Sequence, residues 1–164
     1  MALTRRQFLH RSAAVAAVFG LPQVASPSVL GAHDAIRVGV VGCGGRGNHH
    51  IDRFGAQEGV VVAAVCDPDR QRLAASAKRI QETFHNEPAQ FVNVREMIDK
   101  AEIDVVAVAT MQYWHALPTI WACQTGRDVY VEKPLGHFIR EGQAMVRAAR
   151  KYNRLVQIGT QARS

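Results

Sequence analysis

The feature that most constrains the fold of this chain is a glycine-rich turn between an apolar run and a polar segment. The turn, Gly42-Cys43-Gly44-Gly45-Arg46-Gly47, has the spacing G-x-G-x-x-G. The residues before it, Ile36 to Val41, are rich in valine, which is typical of a buried strand. A helix is predicted to follow from about Asn48. Because this spacing is informative only between a strand and a helix, its position predicts a site for a dinucleotide phosphate.

Each position of the turn has a physical role in such a site. Gly42 allows a tight turn, Gly44 lets a pyrophosphate approach the backbone, and Gly47 lets the helix pack close to the sheet. Gly45 belongs to the same phosphate-binding turn. Arg46 lies at the predicted helix start, where its guanidinium could add a charge-assisted contact to phosphate. The alternative for Arg46 is a solvated surface arginine.

An acidic residue stands where a dinucleotide-binding domain needs one. Asp67 follows a second apolar run, Val60 to Cys66, and lies twenty residues after Gly47. A carboxylate there accepts hydrogen bonds from the adenosine ribose and repels a 2′-phosphate, which favours NAD over NADP. Asp69 is a rival acid, and Arg70 could compensate a 2′-phosphate, which keeps NADP open. Asp67 can also serve as a turn residue, with Asp69 capping the next helix.

Strand and helix patterns alternate along the rest of the chain. Strands are predicted at 36–41, 60–66, 91–92, 105–109, 129–131 and 155–159, with helices from about 48, at 69–83, around 94–100, at 115–124 and at 139–152. Six strands with intervening helices predict an α/β fold with a doubly wound parallel sheet. We therefore expect a Rossmann-type NAD(P)-binding domain over residues 35–164.

The cysteines predict neither a metal site nor a disulfide framework. Cys43, Cys66 and Cys123 are odd in number and have no metal-like spacing. Cys66 ends a predicted strand and Cys123 lies on an apolar helix, so both are expected to be small buried hydrophobes. Cys43 is expected to fit the turn as a small residue rather than to act as a nucleophile.

The charge of the chain does not predict nucleic-acid binding. The formal net charge is +6, and half of it comes from Arg5, Arg6 and Arg11 in the first 32 residues, which contain no acid. The remaining residues show no Lys/Arg stripe with interleaved aromatics. A nucleic-acid partner is therefore not expected.

Residues 1–32 are predicted to be a targeting signal. Thr4-Arg5-Arg6-Gln7-Phe8-Leu9 places paired arginines before two large hydrophobes, and the apolar stretch 13–21 that follows is too short to span a bilayer as a helix. This segment resembles the twin-arginine export signal, although His10 stands where a lysine is common. It predicts export to the periplasm by the twin-arginine machinery. A basic amphipathic helix and an uncleaved membrane tether are the alternatives.

Two further segments lie at the carboxyl ends of predicted strands, where ligands bind in such sheets. They are Thr110-Met111-Gln112-Tyr113-Trp114-His115 after strand four and Glu132-Lys133-Pro134 after strand five. Gly126 and Val129 extend the second segment to a Gly-x-x-Val-x-x-Glu-Lys-Pro pattern. With the glycine-rich turn, this pattern resembles the nucleotide-binding half of the Gfo/Idh/MocA oxidoreductases, which include glucose–fructose oxidoreductase and inositol dehydrogenase.

The resemblance implies roles for particular residues. Lys133 matches the family's lysine, which points at the nicotinamide ribose and the substrate and is assigned a catalytic or proton-relay role. Glu132 would lie along the nicotinamide ribose, and Thr110 would line the nicotinamide side. His115 matches the family's histidine at the start of the following helix and is a candidate catalytic residue. The alternatives are a surface lysine in a turn for Lys133 and a helix-start histidine packed beside Trp114 for His115.

The loop before His115 departs from the family pattern. Met111 and Gln112 stand where the family usually has proline and then aspartate or asparagine. The loop is therefore expected to run differently here, which weakens the transfer of roles to Thr110 and His115.

The resemblance also implies an activity. Family members transfer hydride between NAD(P) and a sugar or polyol-like substrate, and a second α/β domain with a mainly antiparallel sheet closes the substrate site. Because little sequence follows strand six, we expect that substrate domain to be absent from this chain. The alternative function is a truncated, non-catalytic nucleotide-binding module, or a subunit completed by another chain.

Overall fold

The computed structural model of the chain describes residues 35–160, which form a six-stranded parallel sheet with helices on both faces. In chain order the elements are β1 (Ile36–Val41), α1 (Gly45–Gly55), β2 (Val60–Cys66), α2 (Arg70–Phe84), β3 (Ala89–Phe91), α3 (Val94–Lys100), β4 (Val105–Val108), a 3₁₀ turn (Gln112–Trp114), α4 (Ala116–Gln124), β5 (Asp128–Glu132), α5 (Ile139–Lys151) and β6 (Val156–Gly159). The strand order is β3-β2-β1-β4-β5-β6, with all neighbours parallel. The predicted doubly wound fold is confirmed.

The sheet separates two apolar cores. Val38 and Val40 of β1 face a core that also holds Ile51 of α1 and Ile80 of α2. Val41 of the same strand faces the opposite core, which is filled from α3, α4 and α5. Because both faces of the sheet are covered, its central strands are apolar almost throughout, as a buried parallel sheet requires.

The helix after the glycine turn begins earlier than predicted. It starts at Gly45 rather than about Asn48, with Gly44 as its N-cap residue. The low helix propensity of glycine hides this start from the sequence. As a consequence, Arg46 and Gly47 lie inside the first helical turn, where the backbone N–H groups have no partner within the helix.

The other helix boundaries depend on caps and packing. Asp69 caps α2 as predicted, because its carboxylate accepts hydrogen bonds from the N–H groups of Gln71 and Arg72. The inward face of α5 carries Met145 and Ala148. Val146 is 42% exposed, whereas Met145 and Ala148 are buried. A spacing of three residues puts Met145 and Ala148 on the same side of the helix.

The bounds of four strands (β3, β4, β5 and β6) and of three helices (α2, α4 and α5) shift by one or two residues from the predicted bounds. The largest shift is in β3, which spans Ala89–Phe91 instead of 91–92. The segment after β4 forms a 3₁₀ turn before α4 begins at Ala116. These differences change which residues end each element but not the order of the elements.

The predicted export signal, residues 1–32, lies outside the described residues. Between residues 35 and 160, none of the helices combines the length and the apolar character that crossing a bilayer requires.

Candidate dinucleotide-binding site

The carboxyl ends of the central strands bring the predicted site residues to one edge of the sheet. The register pairs Val41 with both Cys66 and Val108. The N–H of Gly42 donates to the carbonyl oxygen of Cys66 at 2.8 Å. On the other side, the N–H of Ala109 donates to the carbonyl oxygen of Val41 at 2.8 Å. The glycine turn therefore lies between the ends of β2 and β4. This is the point at which the strand order reverses, where open α/β sheets bind their ligands.

Two glycines of the turn are required by its own packing. Gly42 has φ +95, and a Cβ atom added to it would lie 2.7 Å from the carbonyl oxygen of Ala109. A Cβ atom on Gly47 would overlap the carbonyl oxygen of Gly42. Neither position therefore accepts a side chain, which agrees with the turning and close-packing roles predicted for Gly42 and Gly47.

The other two glycines face open space. A Cβ atom added to Gly44 or Gly45 would meet nothing within 4 Å. Gly44 has no side chain with which to cap α1, and the first helical hydrogen bond closes from Asn48 N–H to its carbonyl oxygen at 2.9 Å. The N–H groups of this first turn, at the positive end of the helix dipole, are thus available to an anion. The space and the donors fit the pyrophosphate of NAD.

Asp67 braces the turn from the neighbouring strand. Its side chain is 6% exposed, and Oδ2 accepts the backbone N–H of Cys43 at 2.7 Å. Oδ1 accepts the N–H of Asp69 at 2.8 Å, so Asp67 also fills the predicted turn role. Each oxygen keeps a further lone pair for a hydroxyl group. The ribose contact of Asp67 stays a prediction, and its position beside the glycine turn suits that role.

Arg46 reaches across the edge of the sheet towards β5. Its Nε atom lies 3.6 Å from Oε1 of Glu132, and its side chain remains partly exposed. The same carboxylate oxygen lies 2.8 Å from Nε2 of His50. The other oxygen, Oε2, accepts the backbone N–H of Lys133 at 3.2 Å. The predicted phosphate-binding and ribose-binding residues are thus joined by one buried carboxylate.

Sequence reasoning missed His50. The residue is 6% exposed and lies one helical turn after Arg46 on α1. That spacing of four residues places both side chains on one face of the helix, and is the signal that could have drawn attention to His50. Its partner Glu132 is 82 residues away in the chain, so the pair itself is visible only in the fold.

Aromatic rings and a glycine enclose this pair. The ring of His50 packs edge-on against Tyr130 at 5.1 Å and lies 6.0 Å from Phe54. A Cβ atom on Gly159 would lie 2.6 Å from the Tyr130 hydroxyl oxygen and 3.2 Å from Oε1 of Glu132. Burial lowers the pKa of His50, against the opposing effect of the Glu132 carboxylate. This balance favours a neutral histidine ring at neutral pH.

His115 connects the loops that follow β4 and β5. The side chain is 1% exposed, with Nδ1 2.7 Å from the carbonyl oxygen of Pro134 and Nε2 3.0 Å from that of Thr110. A neutral ring donates to only one of these oxygens, and a charged ring donates to both. Trp114 packs edge-on against Trp121 rather than filling the site. The geometry gives His115 a bracing contact, and its catalytic role stays a prediction.

Lys133 and Thr110 lie at the same edge. The Lys133 side chain is exposed, and its peptide bond to Pro134 is cis. Thr110 is half-buried, with Oγ1 3.3 Å from the carbonyl oxygen of Met111. Since His115 ties the Thr110 and Pro134 backbones together, these two predicted residues are held on adjacent loops. An exposed ammonium group there can contact a ligand that lies over the edge of the sheet.

The cysteines near the site are unreactive in character. Burial raises the pKa of Cys43 to about 11 and that of Cys66 to about 12. Both side chains, and that of Cys123, are buried, as expected for small hydrophobes. Among residues 35–160, no three His, Cys, Asp or Glu side chains lie together as metal ligands would.

Curated bacterial proteins are similar in sequence to most of this chain. The chain is 30% identical over 172 residues to a protein of Shewanella pealeana named "Glycosyl hydrolase family 109 protein", a match over 92% of this chain and 38% of that protein. It is 32% identical over 158 residues to a protein of Shewanella sp. strain ANA-3 named "Glycosyl hydrolase family 109 protein 2", over 84% of this chain and 35% of that protein. The chain therefore spans well under half the length of these curated relatives.

A solved structure shares the fold over most of the chain. The WlbA dehydrogenase of Bordetella pertussis, solved with NADH and UDP-GlcNAcA, is 26% identical with a TM-score of 0.70, over 78% of this chain and 38% of that chain. The family model for the GFO_IDH_MocA oxidoreductases, described as an NAD-binding Rossmann fold, matches residues 36–160. The glycine turn, the Asp67 carboxylate and the strand order of the sheet agree with that match. The chain therefore belongs to the Gfo/Idh/MocA oxidoreductase family, of which it contains the NAD-binding Rossmann domain.

Proposed function

We propose that this chain is the cofactor-binding part of an NAD-dependent oxidoreductase that acts on a sugar or polyol-like alcohol. The observation that carries the proposal is the open space over Gly44 and Gly45, which lies at the same sheet edge as the segment Glu132-Lys133. When bound, NAD supplies the hydride acceptor or donor. A pyrophosphate held at α1 and a ribose along β5 would bring the nicotinamide end towards Lys133.

The substrate class is supported by the names of similar structures. Besides the WlbA dehydrogenase with UDP-GlcNAcA, the fold resembles myo-inositol 2-dehydrogenase of Lactobacillus plantarum, which is 26% identical with a TM-score of 0.66, over 76% of this chain and 36% of that chain. A sugar derivative and a cyclitol both present secondary hydroxyl groups. That shared chemistry is the basis for proposing an alcohol of this type.

The chain's own residues would do four things for such a reaction. The first turn of α1 binds phosphate charge, and Asp67 orients the adenosine end. Lys133 donates a hydrogen bond to the reacting hydroxyl and stabilises negative charge that develops there. Glu132 holds the Lys133 backbone in place through its N–H contact. Near-attack geometry still requires groups that fix the substrate, and these are proposed to come from the rest of a longer protein.

A second candidate is cleavage of a glycosidic bond. It is favoured by the names of the two Shewanella relatives, which place them in a glycosyl hydrolase family. Some glycosidases depend on NAD rather than on the usual pair of carboxylates. An NAD-binding domain is therefore compatible with that activity as well as with net oxidation.

Fluorescence titration of the 164-residue chain with NADH and with NADPH tests the cofactor proposal. Gly44→Asp puts a carboxylate into the proposed phosphate space and should abolish NADH binding. Ala74→Asp adds the same charge on the exposed face of α2 and should leave binding unchanged. Binding of neither nucleotide at millimolar concentration would refute the proposal.

An activity panel then separates the functions. NADH formation from sugars or polyols supports the oxidoreductase, and release of a chromogenic group from glycosides without net NADH formation supports the glycosidase. Cofactor binding without any turnover supports the non-catalytic module or a subunit that needs another chain.

We also propose that the protein is exported by the twin-arginine route. The support is the Arg5-Arg6 pair with the short apolar segment behind it. Replacing both arginines by lysine keeps the charge and should leave the protein in the cytoplasm. Unchanged periplasmic recovery of the double variant would contradict this route.

A further inference from the structure

A buried hydrogen bond between side chains joins α1, the helix after the glycine turn, to the end of β5. His50 and Glu132 are 6% and 4% exposed, and Nε2 of the histidine lies 2.8 Å from Oε1 of the glutamate. None of the roles proposed above uses His50. A buried carboxylate is costly unless hydrogen bonds satisfy it, and this contact satisfies one oxygen of Glu132.

The surroundings define which way the hydrogen bond runs. The titratable or charged groups that face His50 are Glu132, Arg46, His49 and Tyr130. Burial lowers the pKa of His50, so the neutral ring predominates near pH 7. A neutral ring can satisfy Oε1 only by donating from Nε2, because a carboxylate oxygen accepts and does not donate.

The contact continues to the Lys133-Pro134 segment after β5. Glu132 Oε2 accepts the N–H of Lys133 at 3.2 Å while Oε1 is held by His50. His50 of α1 thereby holds one oxygen of the carboxylate, and the other oxygen holds the start of the Lys133-Pro134 segment. The first turn of the same helix faces the proposed pyrophosphate space.

We propose that His50 is a positioning residue for the nicotinamide-ribose end of the cofactor, acting through Glu132. The inference rests on the proposed function, in which Glu132 lies along that ribose. His50 would hold the carboxylate at a fixed place relative to the phosphate-binding turn. It would therefore govern binding of the distal ribose and not binding of the adenosine and phosphate parts.

Three probes of increasing length test this division. ADP carries the adenosine and both phosphates, ADP-ribose adds the second ribose, and NADH adds the nicotinamide. In the 164-residue chain, His50→Leu should raise the dissociation constants of ADP-ribose and NADH about tenfold, as expected for a hydrogen bond to a charged group. The dissociation constant of ADP should stay within about twofold. The control His49→Leu alters the exposed neighbour and should leave all three unchanged.

Two further variants keep the test decisive if His50→Leu does not fold. His50→Gln keeps a donor near the position of Nε2 and should restore ADP-ribose binding, whereas His50→Asn is too short and should not. In a Glu132→Ala background, His50→Leu should cause no additional loss. The inference would be overturned if His50→Leu weakened binding of all three probes equally or weakened binding of none. It would also be overturned if His50→Leu weakened ADP-ribose binding as much in the Glu132→Ala background as in the wild-type chain. A wild-type chain that binds neither NADH nor ADP would overturn the proposed function together with it.

Discussion

The carboxylate of Asp67 accepts the backbone N–H of Cys43 at 2.7 Å, although 24 residues separate them. The contact ties the end of β2 to the glycine turn that follows β1. A residue predicted to select the cofactor therefore also supports the backbone that is predicted to bind the cofactor's phosphates. Substitutions at Asp67 should affect both properties, and the two effects can be separated.

Asp67→Asn removes the negative charge and keeps an oxygen for the Cys43 N–H, although its NH2 group replaces the oxygen that accepts from the Asp69 N–H. We expect weaker NADH binding and stronger NADPH binding, because the repulsion of the 2′-phosphate is lost. Asp67→Ala removes the acceptors of both the Cys43 and the Asp69 N–H groups and should lower the free energy of unfolding by about 1–3 kcal/mol. Parallel titrations and urea unfolding measure the two effects. Equal loss of both nucleotides in the Asn variant would count against the ribose role.

Alanine substitutions at Gly47 and Gly45 should have opposite effects on the free energy of unfolding. At Gly47 the added Cβ overlaps the Gly42 carbonyl oxygen, so the free energy of unfolding should fall by about 1–3 kcal/mol or more. At Gly45 the Cβ enters open space at the start of a helix, where alanine raises stability by up to about 1 kcal/mol. The Gly45 variant should nevertheless lose NADH affinity. A Gly45→Ala chain with full affinity would show that phosphate does not lie over this residue.

His115→Ala should destabilise the chain even without substrate. The change removes a buried ring and its contacts to the carbonyl oxygens of Thr110 and Pro134, with an expected cost of about 2–4 kcal/mol. Thermal unfolding in the absence of nucleotide measures it. If stability is unchanged while turnover is lost in a complete enzyme, His115 has a purely catalytic role.

Alkaline pH should weaken the fold through its buried thiols. The pKa of Cys43 is about 11 in the folded chain against an ordinary value of 9.0, so the folded state keeps the proton to higher pH. Stability from this group is complete below pH 9 and is lost as the pH rises to 11, by about 3 kcal/mol. Urea unfolding at pH 7, 9 and 11 measures the loss, which should be smaller in Cys43→Ala.

Slow alkylation provides an independent check of the same burial. In the folded chain at pH 8, iodoacetamide should leave the cysteines unmodified, because few thiolates form and none of the three side chains is exposed. In denaturant all three should react. Rapid modification of Cys43 in the folded state would contradict its burial in the turn.

Strand positions were the most predictable part of the fold. β1 and β2 have the bounds that their valine-rich runs predict, because a strand covered on both faces must be apolar along its whole length. Helix starts were less predictable. The first helix begins among glycines, where local propensity opposes the structure that packing and the turn enforce.

The sequence by itself determined the fold class, the glycine turn after β1 and the position of the acidic residue after β2, because each is encoded by neighbouring residues with a fixed spacing. Only the tertiary structure decided that Arg46 and His50 meet Glu132, and that His115 ties two loops together. These contacts join residues on separate elements, and their geometry follows from the strand order and register of the sheet. A local pattern carries no information about such distances.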